Sequence, residues 1–246
     1  MKRHEEYLSG RDFSGTVVVH GHYGRPVLVF PSEQGQAQDF EHNGMIGAVA
    51  DLIEAGRVKF YCVDSADRYT WSDNGLPTEE RARRHGSYES WVLEQVVPWM
   101  SGDTAGATEF ATLGCSMGAF HAANFALKRA DLFPLALCLS GNYDPASWRP
   151  WGEQGQQTYF NNPMAYVANL DGDHLNWLRE RVSLLLVVGQ GAWEVHPTQA
   201  LPSSRAFAQL LASKGIRHEL DVWGFDVPHD WTSWRAQLAH HLPRFC

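Results

Sequence analysis

Gly114-Cys115-Ser116-Met117-Gly118 is a G-x-S-x-G pentapeptide. A serine in that pattern can attack a carbonyl carbon when it projects from a sharp turn between a strand and a helix. The flanks predict such a turn. The apolar run Phe110-Ala111-Thr112-Leu113 leads in, and a helix-like stretch from Ala119 to Leu127 leads out. The turn strains the serine backbone and brings chains close together, so the positions two before and two after must lack bulk. Gly114 and Gly118 meet that demand. The N–H groups that open the following helix would face negative charge developing on a carbonyl oxygen.

A serine hydroxyl reacts only when a base takes its proton, and the base needs an acid to orient it. In folds that set the serine on a strand-to-helix turn of this kind, the partners follow in the order acid, then histidine, on loops after later strands. Among twelve histidines, His229 is the candidate base. It follows the strand-like run 218–223 through Gly224-Phe225-Asp226-Val227-Pro228, 113 positions after Ser116, and precedes a helix. His121, five positions past Ser116, reads as a local packing or capping residue. For the acid, Glu194 is the first carboxylate after the strand-like run 184–188, in Gly189-Gln190-Gly191-Ala192-Trp193-Glu194. Asp226, three positions before His229, is its rival, and both stay open. The same loop spells G-x-G-x-x-E, but a dinucleotide fingerprint needs a third glycine and a helix opening there. The expected oxyanion donors are the backbone N–H groups of Met117 and of Glu33, the latter in Pro31-Ser32-Glu33-Gln34-Gly35. His20-Gly21 is a decoy for that loop, because it precedes the strand the loop should follow.

Apolar runs predict strands at 16–20, 26–30, 58–63, 110–113, 135–140, 184–188 and 218–223. Helices are predicted at 44–55, 88–100, 117–128, 203–213 and 230–242. Continuous apolar strands alternating with helices imply an α/β fold, a mostly parallel, doubly wound sheet with helices on both faces. The first two strands are joined by Gly21-His22-Tyr23-Gly24-Arg25, which suits a hairpin, so the sheet is expected to begin antiparallel. Residues 142–181 break the rhythm with three prolines and many aromatics. They are expected to form an irregular insertion or small cap that walls a pocket. Trp148, Trp151, Tyr159 and Phe160 are its candidate substrate-binding residues, with Trp193 from the acid loop. The 246 residues fit one domain.

The net charge of −8 and pI near 5.8 argue against nucleic-acid or anionic-membrane partners. Arg81-Ala82-Arg83-Arg84-His85 is the only basic run and reads as a solvated helix start. Four cysteines show no C-x-x-C spacing, and Cys62, Cys115 and Cys138 sit in or beside apolar runs, where reduced thiols are the rule. No apolar leader or membrane span is visible, so a cytoplasmic protein is expected. Asp171-Gly172-Asp173-His174 and His20-Gly21-His22 lack a metal-ligand set around them, so neither a metal nor another cofactor is expected. Nothing in the composition speaks to oligomeric state, and a homo-oligomer stays open.

Further segments carry a family resemblance: Val29-Phe30-Pro31-Ser32, Phe60-Tyr61-Cys62-Val63-Asp64-Ser65, Gly114 to Ala119, Tyr159-Phe160-Asn161-Asn162-Pro163, and Leu220-Asp221-Val222-Trp223-Gly224 followed by His229-Asp230-Trp231. Together they resemble the α/β-hydrolase family named Putative esterase. That broad group includes esterase D-type S-formylglutathione hydrolases, feruloyl esterases and mycolyltransferases, and the likeness points to a bacterial subgroup of small uncharacterised esterases. The resemblance implies the α/β-hydrolase fold and cofactor-free hydrolysis of a small-molecule ester, with Ser116 as nucleophile and His229 as base. Glu194 falls on the acid loop, although many relatives carry Asp in a Gly-x-x-Asp arrangement where this chain has Ala192. S-formylglutathione is not implied as the substrate. Two other readings use the same residues: transfer of the acyl group to an alcohol or amine acceptor, and a non-catalytic binding module on the same fold.

Overall fold

A computed structural model describes all 246 residues. Eight strands form one sheet: β1 (Arg3–Ser9), β2 (Ser14–His20), β3 (Arg25–Phe30), β4 (Val58–Val63), β5 (Ala111–Cys115), β6 (Leu135–Leu139), β7 (Ser183–Val188) and β8 (Arg217–Val222). Their order across the sheet is β1-β2-β4-β3-β5-β6-β7-β8. β1 and β2 pair antiparallel with each other, as do β2 and β4, and every other pair is parallel.

Alternate residues of the central strands enter different apolar layers. Val17, Val19, Leu28 and Phe30 pack into one, and Val18, Val27 and Val29 into the other. This is why the strands read as unbroken apolar runs: both faces are covered. The first layer carries the helices Met117–Lys128, Gly172–Arg181 and Ala200–Ser213, and the second carries Trp231–His241. Pairing of Phe30 with Gly114, Cys115 with Leu139, and Val188 with Val222 brings the C-terminal ends of five strands to one edge. The loops after them hold Glu33, Ser116, Ser140, Glu194 and His229.

The predicted hairpin between β2 and β3 is not formed. β4 lies between them, and the hairpin at that end joins β1 to β2. β1 escaped notice because Arg3-His4-Glu5-Glu6-Tyr7-Leu8-Ser9 is mostly exposed and charged, as suits a sheet edge that must not pair with another chain. The predicted helix 44–55 is two short pieces, Met45–Ala48 and Ala50–Glu54, broken where Val49 leaves helical geometry at φ −128°.

The helix predicted at 88–100 starts ten residues earlier, at Thr78, and passes through a π-helical stretch, Val92–Val96, into Val97–Asp103. Pro98 has no N–H to donate, and the widened turns before it absorb that loss. Its first turns hid from hydrophobic periodicity because they bury polar side chains. Arg81 and His85 lie inside, so the basic run is not the solvated helix start expected; only Arg83 and Arg84 reach solvent. Residues 142–181 are less irregular than expected, holding the helices Gln156–Phe160, Pro163–Ala168 and Gly172–Arg181. Asn162 accepts hydrogen bonds from the N–H groups of Met164 and Ala165, and Pro163 fits the first helical position where no N–H is needed.

Candidate active site

Ser116 stands between β5 and the helix Met117–Lys128 with φ 56° and ψ −120°, a conformation few non-glycine residues adopt. Its N–H donates to the Leu139 carbonyl at 2.8 Å, which ties the turn to β6. A methyl group on Gly114 would stand 2.1 Å from the Gly118 carbonyl oxygen, and one on Gly118 would stand 2.2 Å from that of Pro31. No side chain fits at either position. Both glycines are there for the close passage of three backbones.

His229 Nε2 lies 2.9 Å from Ser116 Oγ, and His229 Nδ1 lies 3.1 Å from Glu194 Oε2. With Nδ1–H donating to the carboxylate, Nε2 is the acceptor for the serine hydroxyl. Glu194 is fully buried, and its other oxygen, Oε1, accepts from Ser140 Oγ at 2.6 Å and from the Gly189 N–H at 3.2 Å. These donors replace the water a carboxylate loses on burial. Asp226, the rival acid, is exposed and makes no bond to His229. Gly191 N–H donates to the Val227 carbonyl and His229 N–H to the Ala192 carbonyl, each at 2.9 Å, so the acid loop and the histidine loop are stitched together. Close packing of these loops accounts for the glycines of the G-x-G pattern: a methyl on Gly189 would meet the Val227 oxygen at 2.1 Å.

Beside Ser116 opens a cavity of about 480 Å³. Met117 at the helix start and Glu33 after β3 both line it, and neither backbone N–H has a partner within the protein. The neighbouring Gln34 N–H is already used, donating to Asp67 Oδ2 at 3.2 Å. Asp67 is buried, and its Oδ1 lies 2.8 Å from His121 Nε2. His121 therefore reaches across the fold to a loop 54 positions away, correcting its reading as a local packing or capping residue.

Of the expected wall residues, only Trp148 lines the cavity. Trp151 and Phe160 are about half exposed elsewhere, and Trp193, held at φ 69°, is turned to solvent with 63% of its surface exposed. Tyr159 packs against the larger apolar layer. Aromatic character marks a side chain that wants cover but not the direction it takes. The actual walls are largely polar and include Trp71, Ser72, Asn74, Ser140, Asn142, Arg149, Thr198 and Gln199. Ser140 had a sequence signal, a polar residue ending the apolar run 135–139 at the edge that carries Ser116. The others had none.

The family model described as Putative esterase matches residues 18–245. No curated protein sequence matches. Among solved structures, the chain is similar to a ferulic acid esterase at 16% identity and TM-score 0.74, covering 99% of this chain and 96% of that one. It is similar to Mycobacterium tuberculosis MPT51 at 15% identity and TM-score 0.74, covering 99% and 97%. An S-formylglutathione hydrolase from Agrobacterium tumefaciens matches at 16% identity and TM-score 0.74, covering 98% and 93%. The likeness spans the whole sheet, and the fold is that of the α/β-hydrolases. No helix is long and apolar enough to cross a membrane.

Proposed function

The chain belongs to the Putative esterase family, and from that premise we propose that it is a serine esterase, hydrolysing carboxylic esters through an acyl-enzyme. One observation carries the reading. A continuous hydrogen-bonded line runs from buried Glu194 through His229 to Ser116 at the wall of an open cavity.

In this mechanism Ser116 Oγ attacks the ester carbonyl carbon while His229 Nε2 takes the hydroxyl proton. Glu194 holds the imidazole in the required tautomer and stabilises its charge. The tetrahedral oxyanion is held by the N–H groups of Met117 and Glu33, both without a partner in the free protein. His229 then gives its proton to the departing alkoxide, leaving the acyl group on Ser116. Water, deprotonated by His229, attacks the acyl carbon; the bond to Ser116 Oγ breaks, His229 returns the proton to that oxygen, and the acid is released. The acid is Glu194 and not Asp226, because only Glu194 is within hydrogen-bond reach of Nδ1. All four cysteines are free, and a cytoplasmic setting fits them.

The test is covalent labelling with a fluorophosphonate, read by mass spectrometry on the wild type and on His229→Ala. A single adduct on Ser116 in the wild type, strongly reduced without His229, is the expected result. Well-folded wild type that takes up no label would remove the esterase reading.

A further inference from the structure

A pocket for a small ligand is ordinarily apolar with a few polar groups, yet only 3 of the 16 residues lining the cavity beside Ser116 are hydrophobic. Apart from His229, it is bordered by two charged side chains, Glu33 and Arg149. Glu33 is engaged, its Oε1 accepting from Ser72 Oγ at 2.5 Å. Arg149 is not. Its backbone is bonded on both sides, but its guanidinium donates to no group of the protein. Neither charge is paired with an opposite one, but Glu33 has a hydrogen-bonding partner and the Arg149 guanidinium has none, so it is the charged group of the cavity free to bind a ligand.

The position of that cation is built. Arg149 is held at φ 45°, a left-handed conformation costly for a side chain of this size. What holds it is a second guanidinium, buried beneath it. Arg81 donates from Nη2 to the Arg149 carbonyl at 2.8 Å, from Nη1 to that of Trp148 at 2.9 Å, and from Nε to that of Leu76 at 2.9 Å. A longer contact of 3.4 Å reaches the Trp71 carbonyl. Arg81 has no carboxylate partner, so a desolvated cation is satisfied by carbonyls alone, an arrangement that gains geometry at a cost in solvation. Three of those carbonyls, of Trp71, Trp148 and Arg149, belong to residues that line the cavity. The indole N–H of Trp71, which also lines the cavity, is buried with no acceptor in the protein. Such a donor is costly to leave unmade.

Resting on the serine esterase reading, we propose that the esters this protein accepts carry an anionic group, a carboxylate foremost, which pairs with Arg149 while the ester carbonyl lies at Ser116. The planar fork of a guanidinium matches the two oxygens of a carboxylate. The anion belongs either to the acyl part, as in a monoester of a dicarboxylic acid, or to the alcohol part, as in an ester of a hydroxy acid.

The test compares aryl monoesters of glutaric acid, 4-acyloxybenzoates and their uncharged isosteres, in the wild type, Arg149→Gln and Arg149→Lys. The Arg149 side chain is exposed and bonded to nothing, so neither change removes packing. Expected is a kcat/KM for one anionic ester about tenfold above its neutral isostere at low salt, the scale of one charge-assisted bond. That ratio falls to about one in Arg149→Gln, partly survives in Arg149→Lys and shrinks as salt rises. Which of the two anionic esters is favoured assigns the anion to the acyl or the alcohol side. Equal turnover of charged and neutral esters by the wild type, or a ratio unmoved by Arg149→Gln, overturns the proposal. Calorimetric titration of Ser116→Ala and of Ser116→Ala/Arg149→Gln with the same esters needs no turnover. Anion-selective binding that depends on Arg149 there supports the site even if the esterase reading fails. Binding indifferent to charge or to Arg149 overturns it.

Discussion

Two buried carboxylates of this molecule are each paired with an imidazole, and only one of those imidazoles meets a serine. Glu194 and Asp67 are both buried, each bonded to a histidine, at 3.1 Å to His229 and 2.8 Å to His121. The far nitrogen of His229 faces Ser116 Oγ across 2.9 Å at the cavity wall, whereas that of His121 is sealed in the core without a partner. The spare oxygens differ too. That of Glu194 is fixed by Ser140 and Gly189, while that of Asp67 receives the Gln34 N–H from the loop carrying Glu33. The pairing alone is therefore not a catalytic signature. What separates the two is where the second ring nitrogen points and whether substrate can reach it. The Asp67 pair is an anchor under the loop that carries Glu33, the proposed oxyanion donor.

The comparison breaks most sharply at Glu194. Glu194→Gln keeps the shape but can favour the wrong imidazole tautomer, and ester turnover should fall about 10³- to 10⁴-fold with little change in KM. A steady-state assay with a neutral aryl ester reads this directly. If Asp226 were the acid, Asp226→Asn would show that loss instead.

The equivalent change on the other pair should act on a smaller scale and by another route. Asp67→Ala strands His121 and frees the Gln34 N–H, so denaturant unfolding should show a loss of about 3 kcal/mol. With the loop loosened, kcat should drop roughly tenfold, within the range set by losing part of one oxyanion donor. Asp67→Asn, which keeps the size and one acceptor, should recover part of both. A loss of stability with kcat untouched would reduce the pair to a core contact.

The smallest effect concerns pH. His85 stacks on His121 with ring centroids 5.2 Å apart, and burial holds its pKa well below the ordinary 6.5, helped by the neighbouring His121 and Lys128. Its folded pKa is depressed, so the unfolded chain binds the proton first. Stability is full above about pH 6.5 and is lost as pH falls, at up to about 1.4 kcal/mol per pH unit for this one group. His85→Phe should flatten the acid side of a stability–pH profile by that slope and leave the alkaline side alone.

How much of this was legible in the chain varies by residue. Ser116 could be placed because a strand, two obligatory small residues and a helix surround it in one short stretch. His229 followed from its loop after the last strand, and Glu194 only as one of two, since nothing local says which carboxylate turns inward. Asp226 is nearer in sequence but points to solvent. Asp67 left no trace and Arg81 reads as part of a solvated basic run, because their partners lie 54 positions away at His121 and 68 positions away at Arg149. The pocket walls were misjudged for a similar reason. Trp193 and Trp148 are equally aromatic, but a left-handed backbone turns one outward while the Arg81 clamp holds the other in.

By itself the sequence determined which chemistry was on offer and the order of its parts: a serine in a strained turn, an acid loop, a histidine loop, and apolar strands alternating with helices. Those are local properties, written in residue type, spacing and period. Only the tertiary structure decided the strand order that lifts β4 between β2 and β3, the burial of Glu194 beside His229, the anchor at Asp67 and the polar lining in which the Arg149 guanidinium has no hydrogen-bonding partner. Each of these depends on side-chain direction and on contacts between distant segments. Neither is set by local sequence, because burial is settled only when the sheet and its covering layers pack together.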